Sequence, residues 1–195
     1  MRISKIERNT LETQIKVELN LDGRGDSIIH TGIGFLDHML TLLARHGLFD
    51  LQIEAKGDLE IDDHHTVEDI AIALGQAFKE ALGNKKGIHR YGHVLLPMDD
   101  VLVLVAIDLS GRPYLVFDAS FHRDKIGDLS TEMIPHFFYS FTMNVLCNLH
   151  IKIFYGESTH HKIEGIFKAF ARALRMACEF DSRAMDALPT TKGVL

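Results

Sequence analysis

The pentad His-His-x-x-Glu occurs twice, as His64-His65-Thr66-Val67-Glu68 and as His160-His161-Lys162-Ile163-Glu164, and the same succession of segments surrounds each copy. A helical run, an alternating strand, a Gly-acid pair, the pentad and a long helix follow one another in both halves. His38 lies 26 residues before His64, and His136 lies 24 before His160. After the pentads Ile70 matches Ile166, Ala73 matches Ala169, Ala77 matches Ala173 and Ala81 matches Ala177. A duplication of this kind predicts two pseudo-symmetric halves, residues 1–92 and 93–195, forming one compact domain. The segment content is that of ferredoxin-like split βαβ units, which gives an α+β fold with a small mixed sheet in each half and helices on one of its faces.

The pattern supplies the elements. Ile3–Thr10 and Glu12–Leu21 read as strands, the second alternating Thr13, Ile15, Val17, Leu19 against Gln14, Lys16, Glu18, Asn20. A helix is expected over Phe35–His46, a strand over Leu51–Lys56, and a helix from the first pentad to Leu82 with Asp63 as its N-cap. Strands follow at Ile88–Met98, Val101–Leu109 and Tyr114–Ala119; the apolar run Val101–Leu109 reads as a strand buried on both faces. His122–Ser130 is a polar loop, then come helix Thr131–Cys147, strand Leu149–Tyr155 and the second pentad helix. Pro189–Leu195 has no regular pattern.

Composition narrows the function classes. With 46% hydrophobic and 25% charged residues in 195, the chain can bury a real core. A net charge of -6 without a basic run argues against nucleic acid or an anionic membrane as partner. The charged opening Met1–Arg8 does not read as a secretion signal, and Cys147 and Cys178 each sit in an apolar periodic run, so buried free thiols in a reducing cytoplasm are expected.

On a helix, residues four apart share a face and adjacent residues diverge by about 100°. His64 with Glu68, and His160 with Glu164, therefore aim one way, while His65 and His161 aim elsewhere. A single such pair is an ordinary helix-stabilising contact on a solvated face. Two copies with a matched upstream histidine point instead to transition-metal ligation by imidazole and carboxylate, with manganese, iron and zinc all compatible. The expected division is one site of His64, Glu68, His160 and Glu164, and a second of His38, His65, His136 and His161. Arg90, Arg112 and Lys192, on turns and a tail, make a candidate phosphate clamp. Glu12, and Asp99 with Asp100, are candidate acids at strand junctions. These residues alone leave a dinuclear metallohydrolase of phosphoesters and a non-catalytic metal-handling protein as alternatives.

Phe35-Leu36-Asp37-His38-Met39-Leu40, Asp62–Asp69, Asp108-Leu109-Ser110-Gly111-Arg112-Pro113 and the second pentad together closely resemble the imidazoleglycerol-phosphate dehydratase family, from about Glu7 to Leu195. The resemblance implies a hydro-lyase of histidine biosynthesis that converts D-erythro-imidazole glycerol phosphate to imidazole acetol phosphate. It implies two Mn²⁺ ions per active site, holding the substrate ring as imidazolate, on a fold like that of domain 2 of ribosomal protein S5. It further implies a homo-oligomer of 24 subunits with active sites between them. The family's metal ligands fall on the eight residues named above. Its phosphate contacts fall on Arg90, Arg112 and Lys192, with Thr190 and Thr191 where serines are frequent; Glu12, His46 and Asp99 match pocket positions. Leu42 departs from the family, where a polar residue is frequent near the phosphate. Glu164 is the expected proton acceptor and Glu12 its alternative. No phosphatase region is expected in this chain.

Overall fold

The computed structural model describes Met1–Leu195. Alternation builds its first sheet: on β2 (Thr13–Asn20) Thr13, Ile15, Val17 and Leu19 are buried and Gln14, Lys16 and Glu18 are exposed. Each such buried aliphatic side chain contributes about 1.5–3 kcal/mol. β2 pairs antiparallel with β1 (Ile3–Asn9, Ile6 opposite Val17) and with β4 (Asp50–Gly57, Ile53 opposite Val17). β3 (Ser27–His30) joins the far side of β4 in parallel, its crossover being helix α1 (Gly34–Gly47). Helix α2 (His64–Leu82) packs across the inner face.

The second half repeats this topology. β5 (Tyr91–Met98) and β6 (Val101–Asp108) are antiparallel, β10 (Asn148–Tyr155) pairs antiparallel with β6, and β7 (Tyr114–Asp118) pairs parallel with β10. Helices α3 (Met133–Val145) and α4 (Thr159–Cys178) correspond to α1 and α2. The sheet orders β1-β2-β4-β3 and β5-β6-β10-β7 are the same pattern twice. The expected α+β architecture of two pseudo-symmetric halves, each a mixed sheet with helices on one face, is therefore present. β5 itself runs from Tyr91 to Met98 and opens the second sheet.

The halves are not side by side but back to back. α2 packs on α3 and α1 on α4, so helices of one half cross helices of the other, with a sheet outside each layer. Phe137, Phe138, Phe141, Phe167 and Phe170 interlock within the α3–α4 layer, and Phe78 of α2 meets Phe141 across the layers, with ring centroids 5.1–5.6 Å apart. Gly75 permits the α2–α3 crossing: a Cβ there would stand 2.7 Å from the Phe141 carbonyl oxygen. This cross-packing decides which histidines meet.

Some expectations need correction. Val101–Asp108 is buried on one face only, with Leu102, Leu104 and Ala106 half-buried, because no layer covers the outer face of its sheet within the chain. The short β3 carries too few residues for a periodic signal. The polar stretch 122–130 contains a small hairpin, β8 (Lys125–Ile126) with β9 (Leu129–Ser130). Asp63 precedes α2 but does not cap it with its side chain; the carboxylate accepts instead from the Ser130 N–H at 2.5 Å and the Ser130 hydroxyl at 2.9 Å.

Candidate metal centre

Two three-donor groups form where the halves cross, each group's donor atoms lying within 4.8 Å of one another. One joins His38 of α1 to His160 and Glu164 of α4; the other joins His136 of α3 to His64 and Glu68 of α2. They are pseudo-symmetric equivalents. The i,i+4 geometry holds within each pentad, but each pentad meets the upstream histidine of the opposite half rather than the other pentad. The expected grouping of His64, Glu68, His160 and Glu164 at one site is thus not what a single chain assembles. The physical reason is the α1–α4 and α2–α3 packing, which pairs helices across the repeat.

In the first group His38 Nε2 stands 2.7 Å and His160 Nε2 3.3 Å from Glu164 Oε1. Lys168, one turn further along α4, donates to Glu164 Oε2 at 2.9 Å. Burial acts to raise the Glu164 pKa, but the bonds from Lys168, His38 and His160 outweigh it and hold the carboxyl at about 2. Phe35 lies edge-on to the His160 ring, centroids 5.0 Å apart. In the second group His136 Nε2 is 3.1 Å from Glu68 Oε1, and the His64 and His136 ring centroids are 4.7 Å apart. Ile72 stands where Lys168 stands in the repeat, so Glu68 has no ammonium partner at that position. The two groups share a donor set and differ in charge.

Two imidazoles and a carboxylate, converging this closely, match what Mn²⁺, Fe²⁺ or Zn²⁺ takes from a protein. Three protein donors leave coordination positions open, which is the arrangement of a catalytic rather than a closed structural site.

His65 and His161 belong to neither group. His65 Nδ1 is 3.0 Å from Asp58 Oδ2, and Glu12 Oε2 is 3.8 Å away; His161 Nδ1 is 2.7 Å from Asp100 Oδ1, with Asp99 Oδ2 3.8 Å from its Nε2. These bonds raise both imidazole pKa values, the Asp58 bond acting first on His65 and the Asp100 bond first on His161. Asp100 is in turn held well below the usual carboxylate range by His161 and by the N–H groups of Glu157 and Ser158. Glu12 and Asp99 thus occupy corresponding hairpin turns, each beside the second histidine of a pentad. The Glu12 turn is fastened by Asp69 of α2, which accepts from Thr13 Oγ1 at 2.5 Å and Arg8 Nε at 2.8 Å.

The clamp residues do come together. Arg90, Tyr91, Arg112, Pro189, Thr190, Thr191 and Lys192 line one cavity of about 480 Å³. Arg90 is already engaged, donating to both oxygens of Asp108 at 2.7 and 3.1 Å and to the Pro189 carbonyl at 2.8 Å. Arg112 and Lys192 make no ion pair within the chain. His46 is not part of this wall. It sits on the last turn of α1, where burial first, and then Lys168, Arg172 and Arg45, depress its pKa. Leu42 packs half-buried against the core. Sequence reasoning missed Lys168, although its i,i+4 spacing from Glu164 was readable, and missed Asp58 and Asp108, whose partners His65 and Arg90 stand on neighbouring elements at no periodic spacing.

The model of one protein family, described as imidazoleglycerol-phosphate dehydratase, matches residues 31–174. The chain belongs to the imidazoleglycerol-phosphate dehydratase family. It is therefore an enzyme of the hydro-lyase class. The imidazoleglycerol-phosphate dehydratase of Clostridioides difficile is 58% identical over 195 residues, with both chains covered in full. A histidine biosynthesis bifunctional protein HisB from Spirosoma linguale is 60% identical over 194 residues; the chain spans half of that relative's length. The structure of imidazoleglycerol-phosphate dehydratase from Staphylococcus aureus superposes with a TM-score of 0.84 at 43% identity, covering 92% of this chain and 99% of that one. The Pyrococcus furiosus dehydratase gives a TM-score of 0.84 at 36% identity, covering 97% and 100%. A ferritin-like metal carrier, built on a four-helix bundle, does not share this two-sheet architecture.

Proposed function

We propose that this enzyme dehydrates D-erythro-imidazole glycerol phosphate to imidazole acetol phosphate in histidine biosynthesis, using two manganese ions per active site. The observation that carries the metal part is the pair of equivalent His₂Glu groups on a dehydratase-family fold. Bound at His38, His160, Glu164 and at His64, Glu68, His136, the two ions would act as Lewis acids and hold the substrate ring as imidazolate.

The chain's own residues account for the rest. Arg112 and Lys192, with the hydroxyls of Thr190 and Thr191, bind the phosphate and turn that remote contact into orientation of the side chain to be dehydrated. The reaction expels hydroxide from the carbon next to the ring, removes a proton from the neighbouring carbon, and lets the resulting enol become the ketone. A proton acceptor works best with a pKa near the working pH. Glu164, held at about 2, is a poor match and serves better as a ligand. Glu12 and Asp99, exposed on turns beside His65 and His161, are better placed to take or relay the proton, and of the two we favour Glu12.

His65 and His161 lie outside both His₂Glu groups of their own chain, which supports delivery to the open positions of a neighbouring copy. Exposed Leu11, Leu59 and Ile61, on the loops around His65, give such a copy an apolar rim to bury. This reading makes the enzyme a homo-oligomer, of 24 subunits by family resemblance, with active sites between subunits. It also places the enzyme in the cytoplasm, in keeping with two buried unpaired cysteines.

The test is elemental analysis of enzyme purified without chelator, alongside an assay for an enolisable ketone formed from imidazole glycerol phosphate. Manganese content with ketone formation supports the reading. Phosphate release from generic phosphoesters, or metal without turnover, overturns it. Glu12→Gln is expected to lose most of kcat with metal content unchanged, and a near-normal kcat removes Glu12 from the role.

A further inference from the structure

We infer that Asp58 and Asp100 are positioning residues, each fixing the second histidine of a pentad so that its Nε2 is offered to a metal ion. The inference rests on the reading of His65 and His161 as ligands given above. A neutral imidazole carries one proton, on either ring nitrogen, and the free nitrogen is the one that ligates. Where Nδ1–H donates to a carboxylate, Nε2 is left with its lone pair exposed, and the ring can no longer rotate freely. Both histidines show this contact, at 3.0 Å to Asp58 Oδ2 and 2.7 Å to Asp100 Oδ1. His38, His136 and His160 are turned the other way, with Nε2 at the glutamate. The adjacent histidines of each pentad are thus handled by two different sets of carboxylates.

Each aspartate is itself held. Asp100 Oδ2 accepts the N–H groups of Glu157 and Ser158 at 2.7 and 3.0 Å, just ahead of α4. Asp58 follows Gly57, which passes so close to α2 that a Cβ would stand 2.0 Å from Thr66 Oγ1. Asp58 Oδ1 is buried without a hydrogen-bond partner in the chain, a costly position for a carboxylate that serves no purpose.

The two contacts do not descend from one ancestral contact. Asp58 lies on the loop between β4 and α2, where the second half has Glu157; Asp100 lies in the β5–β6 turn, where the first half has the turn that carries Glu12. The repeat reaches one arrangement by two routes, which argues that the arrangement is needed at both histidines.

The experiment titrates manganese alone into full-length enzyme stripped of metal, by calorimetry, for the parent, Asp58→Asn, Asp100→Asn, His65→Ala, His161→Ala and the two matched pairs. Loss of an outer-shell carboxylate is expected to weaken binding about 10–100-fold. Because each aspartate acts through its histidine, Asp58→Asn with His65→Ala should bind no more weakly than His65→Ala alone, and likewise for Asp100 with His161. Aspartate variants within about twofold of the parent, or losses that add in the pairs, overturn the inference. A parent that takes up no manganese sinks the metal reading and this inference together; a parent that binds while the variants match it sinks this inference alone. Should Asp58→Asn fail to fold, ring ¹⁵N shifts of the metal-free parent, recorded where both rings are neutral, decide the matter. Nδ1–H at His65 and His161 supports the inference, and Nε2–H at either overturns it.

Discussion

Replacing Lys168 by methionine tests how Glu164 is held. The carboxylate is buried, its side chain 10% exposed, and Lys168 stands 2.9 Å from Oε2. Its pKa falls from 4.5 to about 2, against burial, through Lys168 first and then His38 and His160. At about 1.4 kcal/mol per unit, that depression is worth about 3 kcal/mol, reduced to about 2 because the histidine partners are nearly half exposed to solvent. A carboxyl with a folded pKa below its unfolded one contributes this stability above about pH 4.5 and loses it as pH falls towards 2. Methionine keeps the packing of the lysine stem and removes the largest favourable partner, about half the effect. Urea unfolding of metal-free enzyme at a series of pH values should show Lys168→Met less stable by about 1 kcal/mol at pH 7. That gap should narrow as pH falls from about 4 towards 2, since Glu164, less depressed in the variant, protonates there before it does in the parent. A gap that is absent, or that stays constant with pH, would refute the electrostatic argument and leave Lys168 a packing residue.

Three further outcomes are expected. Gly92→Ala places a Cβ 1.9 Å from the Ala173 carbonyl oxygen, backbone against backbone where β5 meets α4, and should cost about 1–3 kcal/mol or more of stability by denaturant unfolding. Burial pushes the Cys147 and Cys178 thiols up to about 12, so a thiol reagent should label neither in the folded enzyme at pH 8 and both in denaturant; fast labelling of the native enzyme would contradict their placement. Removing the residues after Pro189 deletes Thr190, Thr191 and Lys192 from the cavity wall, so KM should rise about tenfold or more while metal content stays unchanged. An unchanged KM would free the tail of any part in phosphate binding.

Local pattern was enough for the elements and for the duplication, because alternation and i,i+4 spacing are properties of neighbouring residues. β2 was readable from Thr13 to Asn20, and each pentad's His–Glu pair shares a helix face as its spacing requires. The clamp residues too could be named from residue type and position. Contacts made across the fold were beyond such reading. That Val101–Asp108 has an open face depends on which layer lies against it. That Asp63 binds Ser130 rather than capping α2 depends on a hairpin arriving from 67 residues away. The donor groups depend on helix packing between the halves: α1 lies on α4 and α2 on α3, so His38 meets Glu164 and His136 meets Glu68. The chain by itself determined which side chains were available for ligation and on which faces they stood. Only the tertiary structure decided their partners, because the burial of two apolar helix layers against each other, not the spacing along either one, sets which faces touch.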